Sequence, residues 1–262
     1  MKKIFIAIIL LMIIISSAVL PSSAEACAGV YNWYCVRKSG NLQPSCDPSL
    51  RFIENYGGYY IDKKHGDNCS EKVVYLTFDA GYENGNVEKT LDIMKSEGVT
   101  GAFFVLGHLI EANTELVRRM GDEGHLVCNH TSRHKDMTKY NKEEFAAELA
   151  SLEALYSEKI GGTMAKYYRP PEGKFSEENL KFANELGYKT VFWSFAYADW
   201  DNAHQMPPEK AEKKILDNIH NGAVILLHPT SETNAKVLGN VIRTLKAKGY
   251  RFGTLDELTG AR

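Results

Sequence analysis

The sequence predicts an α/β protein whose parallel strands close into a distorted (β/α)7 barrel, preceded by an irregular N-terminal arm. From Lys72 onward, short apolar runs alternate with amphipathic helical patterns, and no segment repeats another. Strands joined by helices run parallel, and closure into a barrel leaves neither edge of the sheet exposed. Roughly 190 residues follow Ser70, which is enough for one substantial core.

Local signals place the individual elements. Strands are expected at residues 72–78, 102–106, 125–128, 166–168, 190–193, 223–227 and 250–253. The clearest helix begins after Asn141, whose side chain can cap it while Glu144 reaches back to the cap. Its apolar face comprises Phe145, Leu149, Leu152 and Tyr156. The glycines at 161–162 end this helix, and Ser176 and Pro208 are expected to start two more.

The N-terminus has the pattern of a secretory signal, which predicts an exported protein. Two lysines at 2–3 precede an apolar stretch at 4–20, and Ala24 and Ala26 supply the small residues of a cleavage site before Cys27. The alternative is a membrane tether, because at ~1.5 Å per residue the stretch nearly spans a bilayer of ~30 Å. The predicted organisation is a signal peptide at 1–26, an arm at 27–70 and the main domain at 71–262.

Four of the five cysteines precede the first strong strand signal, namely Cys27, Cys35, Cys46 and Cys69. In an oxidising exterior they can form two disulfides with three connectivities, and the alternative is that they stay free thiols. Their spacing is not that of a zinc site. Cys128 lies in an apolar run and is predicted to be a small core residue.

The charge of the sequence argues against nucleic acid as a partner. The formal net charge is −2, and basic residues form no block or stripe. Nucleic-acid binding therefore has no electrostatic basis. We expect a monomer.

The polar residues of interest come directly after predicted strands: Asp79, His130, Arg169 and His228. In a (β/α) barrel these positions share the C-terminal rim, where catalytic groups converge. His134 follows His130 by four positions, so one helical turn would place both imidazoles on one face. Two imidazoles beside a carboxylate suggest a metal-dependent hydrolase, although Ala80 stands where a further carboxylate ligand would be well placed.

Five motifs in this order resemble those of polysaccharide deacetylases, the carbohydrate esterase family built on a NodB homology domain. They are residues 77–81, 130–134, 169–173, Asp199-Trp200 and 226–228, and the resemblance covers Val73 to Leu258. A closer resemblance is to the subgroup from spore-forming bacteria that makes muramic δ-lactam in cortex peptidoglycan. It is carried by residues 77–85, 169–171, 190–194, Asp199-Trp200 and 54–57.

The resemblance implies a role for each rim residue. Asp79 is expected to be the general base, held ionised by Arg169. His228 is expected to protonate the departing sugar nitrogen, with Asp199 raising its affinity for that proton. The expected substrate-binding residues are Tyr82, Glu172, Trp200 and Leu226.

The resemblance also implies a divalent metal ion, expected to be zinc, bound by His130 and His134. Because Ala80 replaces the usual aspartate, we expect the ion to be weakly held. The expected partner is the peptidoglycan glycan strand, and the expected substrate is N-acetylmuramic acid lacking its stem peptide. The alternatives are a deacetylase of N-acetylglucosamine in peptidoglycan or chitin, and a glycan-binding pseudoenzyme. A peptide amidase is disfavoured, because no third His or Glu stands at amidase-like spacing.

Overall fold

A parallel sheet wound into an incomplete barrel forms the centre of the protein. The computed structural model describes residues 29–261, so the predicted signal peptide and Cys27 lie outside the described part. Within this range, none of the helices combines the length and apolarity needed to cross a membrane.

The strands in chain order are β1 (Val30–Asn32), β2 (Cys35–Val36), β3 (Ser45–Cys46), β4 (Gly58–Tyr59), β5 (Lys72–Ala80), β6 (Ala102–Val105), β7 (Leu126–Asn129), β8 (Ala165–Tyr168), β9 (Lys174–Ser176), β10 (Lys189–Val191), β11 (Ala223–Leu227) and β12 (Tyr250–Phe252). The α-helices are α1 (Asn86–Ser96), α2 (Gly107–Ala112), α3 (Thr114–Asp122), α4 (Lys142–Lys159), α5 (Glu177–Glu185), α6 (Pro208–Asn218), α7 (Glu232–Ala247) and α8 (Leu255–Thr259). Short 3-10 helices span Pro48–Tyr56, Met137–Lys139 and Pro171–Gly173.

The main sheet has the strand order β11-β5-β6-β7-β8-β10-β4, and β12 pairs with β5. All of these pairings are parallel. Single bridges from Phe195 to Ile225 and from Ile61 to Ala223 bring the two ends of the sheet together. The seven predicted strands are confirmed as β5, β6, β7, β8, β10, β11 and β12, and the predicted α/β barrel class is confirmed with them.

The distortion of the barrel lies at its seventh strand. β11 pairs directly with Val74–Phe78 of β5, which leaves no room for β12 between the two strands. β6 pairs only with Thr77–Ala80, so the start of β5 is free to bind β12 through Lys72–Val74. The arm also takes part in the sheet, because its β4 pairs with β10.

Both faces of the main sheet are buried, and the alternation of side chains along each strand sorts them into two layers. Val74, Leu76 and Phe78 of β5 pack with helical residues on the outer face, whereas Val73 and Tyr75 pack inside the barrel. Cys128 belongs to the inner layer, as predicted. By the same alternation Thr77 and Asp79 face inward, at the C-terminal end of β5.

The helix signals are confirmed in α4 and α5. Asn141 and Glu144 form a capping box at the start of α4, and the buried residues of this helix include Phe145, Leu149, Leu152 and Tyr156. Ser176 caps α5 in the same way. Pro208 is the first residue of α6.

Candidate active site

Asp79 and Arg169 form a buried ion pair at the C-terminal rim of the barrel. Asp79 is 9% exposed and Arg169 is fully buried. Arg169 Nη1 donates to Asp79 Oδ1 over 2.8 Å, Nη2 donates to Thr77 Oγ1 over 2.9 Å, and Nε donates to the Val191 carbonyl over 2.9 Å. The guanidinium carbon lies 4.1 Å from the centre of the Phe104 ring. These contacts hold the guanidinium in one position against the carboxylate.

The ion pair keeps Asp79 ionised. Burial by itself raises the pKa of this carboxyl group. The charges of Arg169, His130 and His228 and the hydrogen bond from Arg169 together outweigh burial, and the pKa of Asp79 lies below its ordinary value. A carboxylate that stays ionised in a dry pocket can accept a proton from water.

His130 and His134 lie side by side, but not on a helical turn as the spacing had suggested. Their ring centres are 5.1 Å apart with an interplanar angle of 72°. The segment is a loop in which Thr131 and His134 have positive φ values of 70° and 53°. Asn129 Oδ1 accepts the Thr131 N–H, and Thr131 Oγ1 accepts the His134 N–H, each over 2.9 Å. These side-chain acceptors replace the helical hydrogen bonds that the prediction assumed.

His130 is held as a neutral imidazole with one nitrogen free. Its Nδ1 donates to the Arg169 carbonyl over 2.9 Å, so Nε2 carries the lone pair. Burial lowers the pKa of His130 to about 4, despite the nearby Asp79 charge. The 3.5 Å contact from Nε2 to Asp79 Oδ2 is therefore not an ion pair at neutral pH.

The imidazole nitrogens of His130 and His134 are suitable ligands for a divalent metal ion, but two ligands are fewer than such sites usually have. Catalytic zinc sites usually have three protein ligands, and residues 29–261 contain no group of three or more His, Cys, Asp and Glu side chains that could hold a metal ion. Ala80 packs in the outer apolar layer and contributes no donor. The nitrogen donors present are the two imidazoles, and the free nitrogen of His130 could bind a metal ion.

His228 and Asp199 form a second pair on the same rim. His228 Nδ1 lies 2.7 Å from Asp199 Oδ1, and the His228 backbone N–H donates to Oδ2 over 2.8 Å. Burial lowers the pKa of His228, but the hydrogen bond and charge of Asp199 outweigh it, aided by Asp79, and the pKa lies above its ordinary value. His228 is thus suited to carry a proton near neutral pH.

Asn234 of α7 orients Asp199, and the sequence analysis did not identify it. Its Nδ2 donates to Asp199 Oδ2 over 2.5 Å and to the His228 carbonyl over 3.1 Å. Tyr197 donates its hydroxyl to Asn234 Oδ1. An Asn in the first turn of a helix is ordinarily interpreted as part of the helix cap, so the sequence does not indicate that Asn234 orients Asp199. Thr77, by contrast, could have been found, because it precedes Asp79 by two positions on the same strand face.

The predicted substrate-binding residues occupy different surroundings. Leu226 is a register partner of Thr77 and therefore faces the inside of the barrel near Asp79. Tyr82 and Trp200 are 44% and 56% exposed, and Asn202 Nδ2 donates to the Tyr82 hydroxyl over 2.7 Å. This bond joins the loops that follow β5 and β10. Glu172 is exposed in the loop after β8, with a φ of 59°. Contact of these four residues with a substrate stays a prediction.

The pair of His228 and Asp199 leads to a first prediction. Asp199→Asn should lower the pKa of His228, because the amide keeps the shape of the side chain but removes its negative charge. The matched control is Asp201→Asn, which removes an exposed carboxylate that pairs with His204. An NMR titration of the His228 ring protons measures the change. A His228 pKa that is the same in Asp199→Asn and wild type would contradict the assigned cause.

Comparison with known proteins extends over most of the chain. A family model described as polysaccharide deacetylase matches residues 66–191. PdaA, a peptidoglycan-N-acetylmuramic acid deacetylase of Bacillus subtilis, is 41% identical over 230 residues, which are 87% of this chain and 85% of PdaA. The solved structure of Bacillus subtilis PdaA, described as a family 4 carbohydrate esterase, matches with a TM-score of 0.82 at 38% identity, covering 88% of this chain and 97% of that one.

Two further relatives differ in what their names state. A peptidoglycan-N-acetylglucosamine deacetylase of Bacillus cereus is 33% identical over 189 residues, which are 71% of this chain and 67% of that protein. A structure described as a family 4 pseudoenzyme from Bacillus anthracis matches with a TM-score of 0.67 at 26% identity, covering 73% of this chain and 66% of that one.

Proposed function

The chain belongs to the polysaccharide deacetylase family, and on that premise we propose that it removes N-acetyl groups from the amino sugars of peptidoglycan. The observation that carries the proposal is that two acid–base pairs, Asp79 with Arg169 and His228 with Asp199, lie on the rim that also bears the imidazoles of His130 and His134. The preferred substrate in this proposal is N-acetylmuramic acid without its stem peptide. The similarity to PdaA, whose name states that sugar, supports this preference.

In the proposed reaction Asp79 accepts the proton of the attacking water. Arg169 occupies Oδ1, which leaves Oδ2 as the oxygen that faces the pocket on the side of His130. Because the pKa of Asp79 is below its ordinary value, the carboxylate is available over the whole neutral range.

His228 acts as the general acid. When the bond between the acetyl carbon and the sugar nitrogen breaks, the nitrogen must be protonated to leave as an amine. The raised pKa of His228 keeps this imidazole protonated for the step. Asp199 holds the ring through Nδ1 and the His228 backbone through its N–H. Leu226 closes the inner wall near Asp79, where an acetyl methyl group would lie.

His130 and His134 are the residues that would hold a divalent metal ion, for which we propose zinc. Such an ion supplies Lewis-acid polarisation of the acetyl carbonyl. The Arg169 carbonyl orients His130 for this role, and the Thr131 hydroxyl fixes the backbone of His134. Two neutral ligands bind a cation less tightly than a set that includes a carboxylate, so the metal should exchange readily.

Removing one imidazole should weaken metal binding. We expect His134→Gln to lower zinc affinity on the order of tenfold or more, because it leaves a single nitrogen ligand. Isothermal titration of zinc into chelator-treated protein measures this change without any substrate. The matched control is His108→Gln, which replaces an exposed histidine in α2 and should bind zinc like the wild type. Equal zinc affinity in all three proteins would place the metal elsewhere.

We propose that the enzyme works outside the cytoplasm on cortex glycan strands. The signal pattern at 1–26 and the cell-wall substrate named for PdaA support this location. The exposed rings of Trp200 and Tyr82 on the rim offer flat apolar surfaces for sugar rings.

Product analysis tests the substrate. Peptide-free and peptide-bearing glycan strands are incubated with the protein and zinc, and the products are analysed by mass spectrometry. We expect loss of acetyl from the muramic residue of peptide-free strands, followed by loss of water where the freed amine closes a δ-lactam with the lactyl carboxyl. Acetyl loss from N-acetylglucosamine would instead favour the activity named for the Bacillus cereus relative.

A glycan-binding pseudoenzyme is the second candidate. It is favoured by the lack of a three-ligand metal group within residues 29–261 and by the likeness to a family 4 pseudoenzyme. Such a protein would bind glycan strands and release no acetate.

A further inference from the structure

Two cysteines of the arm face each other across a small antiparallel sheet. Cys35 of β2 and Cys46 of β3 are direct register partners, next to the pair Val36 and Ser45. Direct partners in an antiparallel pair have side chains on the same face and Cα atoms about 4.5–5.5 Å apart. That separation lies within the range that a disulfide requires, about 4.4–6.8 Å. Both side chains are free thiols in the structure.

The surroundings of the two thiols do not suit them to hydrogen bonding or to catalysis. They pack in an aromatic cluster with Trp33, Tyr60 and Phe192. Each thiol has only a distant or weak backbone acceptor: Cys35 Sγ lies 3.7 Å from the Trp193 carbonyl, and Cys46 Sγ lies 3.3 Å from the carbonyl of the next residue. In the folded protein with both thiols reduced, burial raises the pKa of Cys35 to about 12 and that of Cys46 to about 11, so neither is a thiolate suited to catalysis.

A bond between these cysteines would close a loop that anchors the arm. Within the loop, Arg37 Nη2 donates to the Ala196 carbonyl over 2.5 Å. Asn41 donates to three carbonyls at the end of α6, those of Leu216, Asp217 and Ile219. Gln43 donates to three more carbonyls, those of Asp62, His65 and Asn221. The loop therefore fastens the arm to the barrel, and its Arg37 contact lies on the segment that leads from β10 to Asp199.

We propose that Cys35 and Cys46 form a disulfide in the exported protein, and that this bond fixes the loop on the barrel. The two thiols lose two protons and two electrons to form one S–S bond. The acceptor is a disulfide of an exported thiol oxidoreductase or of a small molecule, whose S–S bond breaks to give two thiols. The inference rests on the export included in the proposed function, but not on the deacetylase activity.

Peptide mapping tests the bond directly. The full chain is oxidised with oxidised glutathione, remaining thiols are alkylated, and the protein is cut without reductant. Arg37 and Lys38 lie between the two cysteines, so trypsin puts them in separate peptides. Chymotrypsin then separates Cys27 from Cys35 at Tyr31, Trp33 and Tyr34. We expect one linked pair that contains Cys35 and Cys46. Alkylation of either residue, or a link from Cys46 to another cysteine, would overturn the proposal.

Thermal unfolding provides the second readout. A reductant should lower the Tm of the oxidised protein on the order of 5–10 °C, as expected for release of a short loop in a domain of this size. It should leave the Tm of the double variant Cys35→Ser/Cys46→Ser unchanged. The control Cys69→Ser should respond like the wild type. A wild-type Tm that reductant does not change would also contradict the proposal, and neither readout depends on activity.

Discussion

Replacing Asp79 by Asn should lower kcat/KM for acetate release by about 10²–10⁴-fold, the range expected for loss of a general base. The amide oxygen of Asn can still accept a hydrogen bond from Arg169, so the pocket keeps its shape. What it loses is the ability to take a proton from water. The measurement is the rate of acetate release from N-acetylated glycan strands at saturating zinc.

The matched control is Asp92→Asn on the protein surface. Asp92 also accepts from an arginine, Arg119, but its side chain is largely exposed and lies on α1 away from the rim. Its rate should equal that of the wild type. A folded Asp79→Asn protein that retains more than about a tenth of wild-type activity would mean that another group is the base.

Arg169→Met should be the most destabilising single change at the site. It leaves the Asp79 carboxylate buried without its partner and deprives Thr77 Oγ1 and the Val191 carbonyl of donors. Breaking a buried ion pair in this way costs about 3–5 kcal/mol of unfolding free energy. Denaturant unfolding followed by circular dichroism measures it.

The same substitution should change the pH dependence of any remaining activity. Without the charge and hydrogen bond of Arg169, the effect of burial on Asp79 is no longer outweighed, and the pKa of Asp79 should rise. The acidic limb of the kcat/KM profile then moves to higher pH. Arg119→Met is the control for stability, because it breaks partly exposed ion pairs worth at most about 1 kcal/mol. Equal losses in the two variants would show that the Asp79 pair is not buried in the protein in solution.

The rim could be predicted from the sequence because it depends on one rule of the fold. Asp79 lies at the C-terminal end of β5, and His130, Arg169 and His228 directly follow β7, β8 and β11. Parallel strands in a barrel bring their C-terminal ends together. Each strand was also long or apolar enough to be recognised. The location of these four residues on the rim was therefore predictable from the sequence. The hydrogen bonds between the rim side chains were not.

Other features of the fold and site, namely β4, the pairing of β12 and the loop of His130 and His134, depend on contacts between distant residues, which leave no local sequence pattern. β4 has only two residues, too few for any periodicity, and it belongs to the sheet only because it pairs with the distant β10. The pairing of β12 with the start of β5 depends on how little of β5 is covered by β6. The loop of His130 and His134 is shaped by the positive φ of Thr131, which is rare for a β-branched residue and cannot be inferred from spacing.

Acetate release separates a deacetylase from a glycan-binding relative of one. The most direct test is to count acetate molecules released per protein molecule from N-acetylated, peptide-free glycan strands in excess zinc, while binding to the same strands is measured in parallel. The arrangement of Asp79, His228 and the two imidazoles predicts many turnovers. Strands that bind tightly and yield no acetate with zinc or any other divalent metal would contradict it.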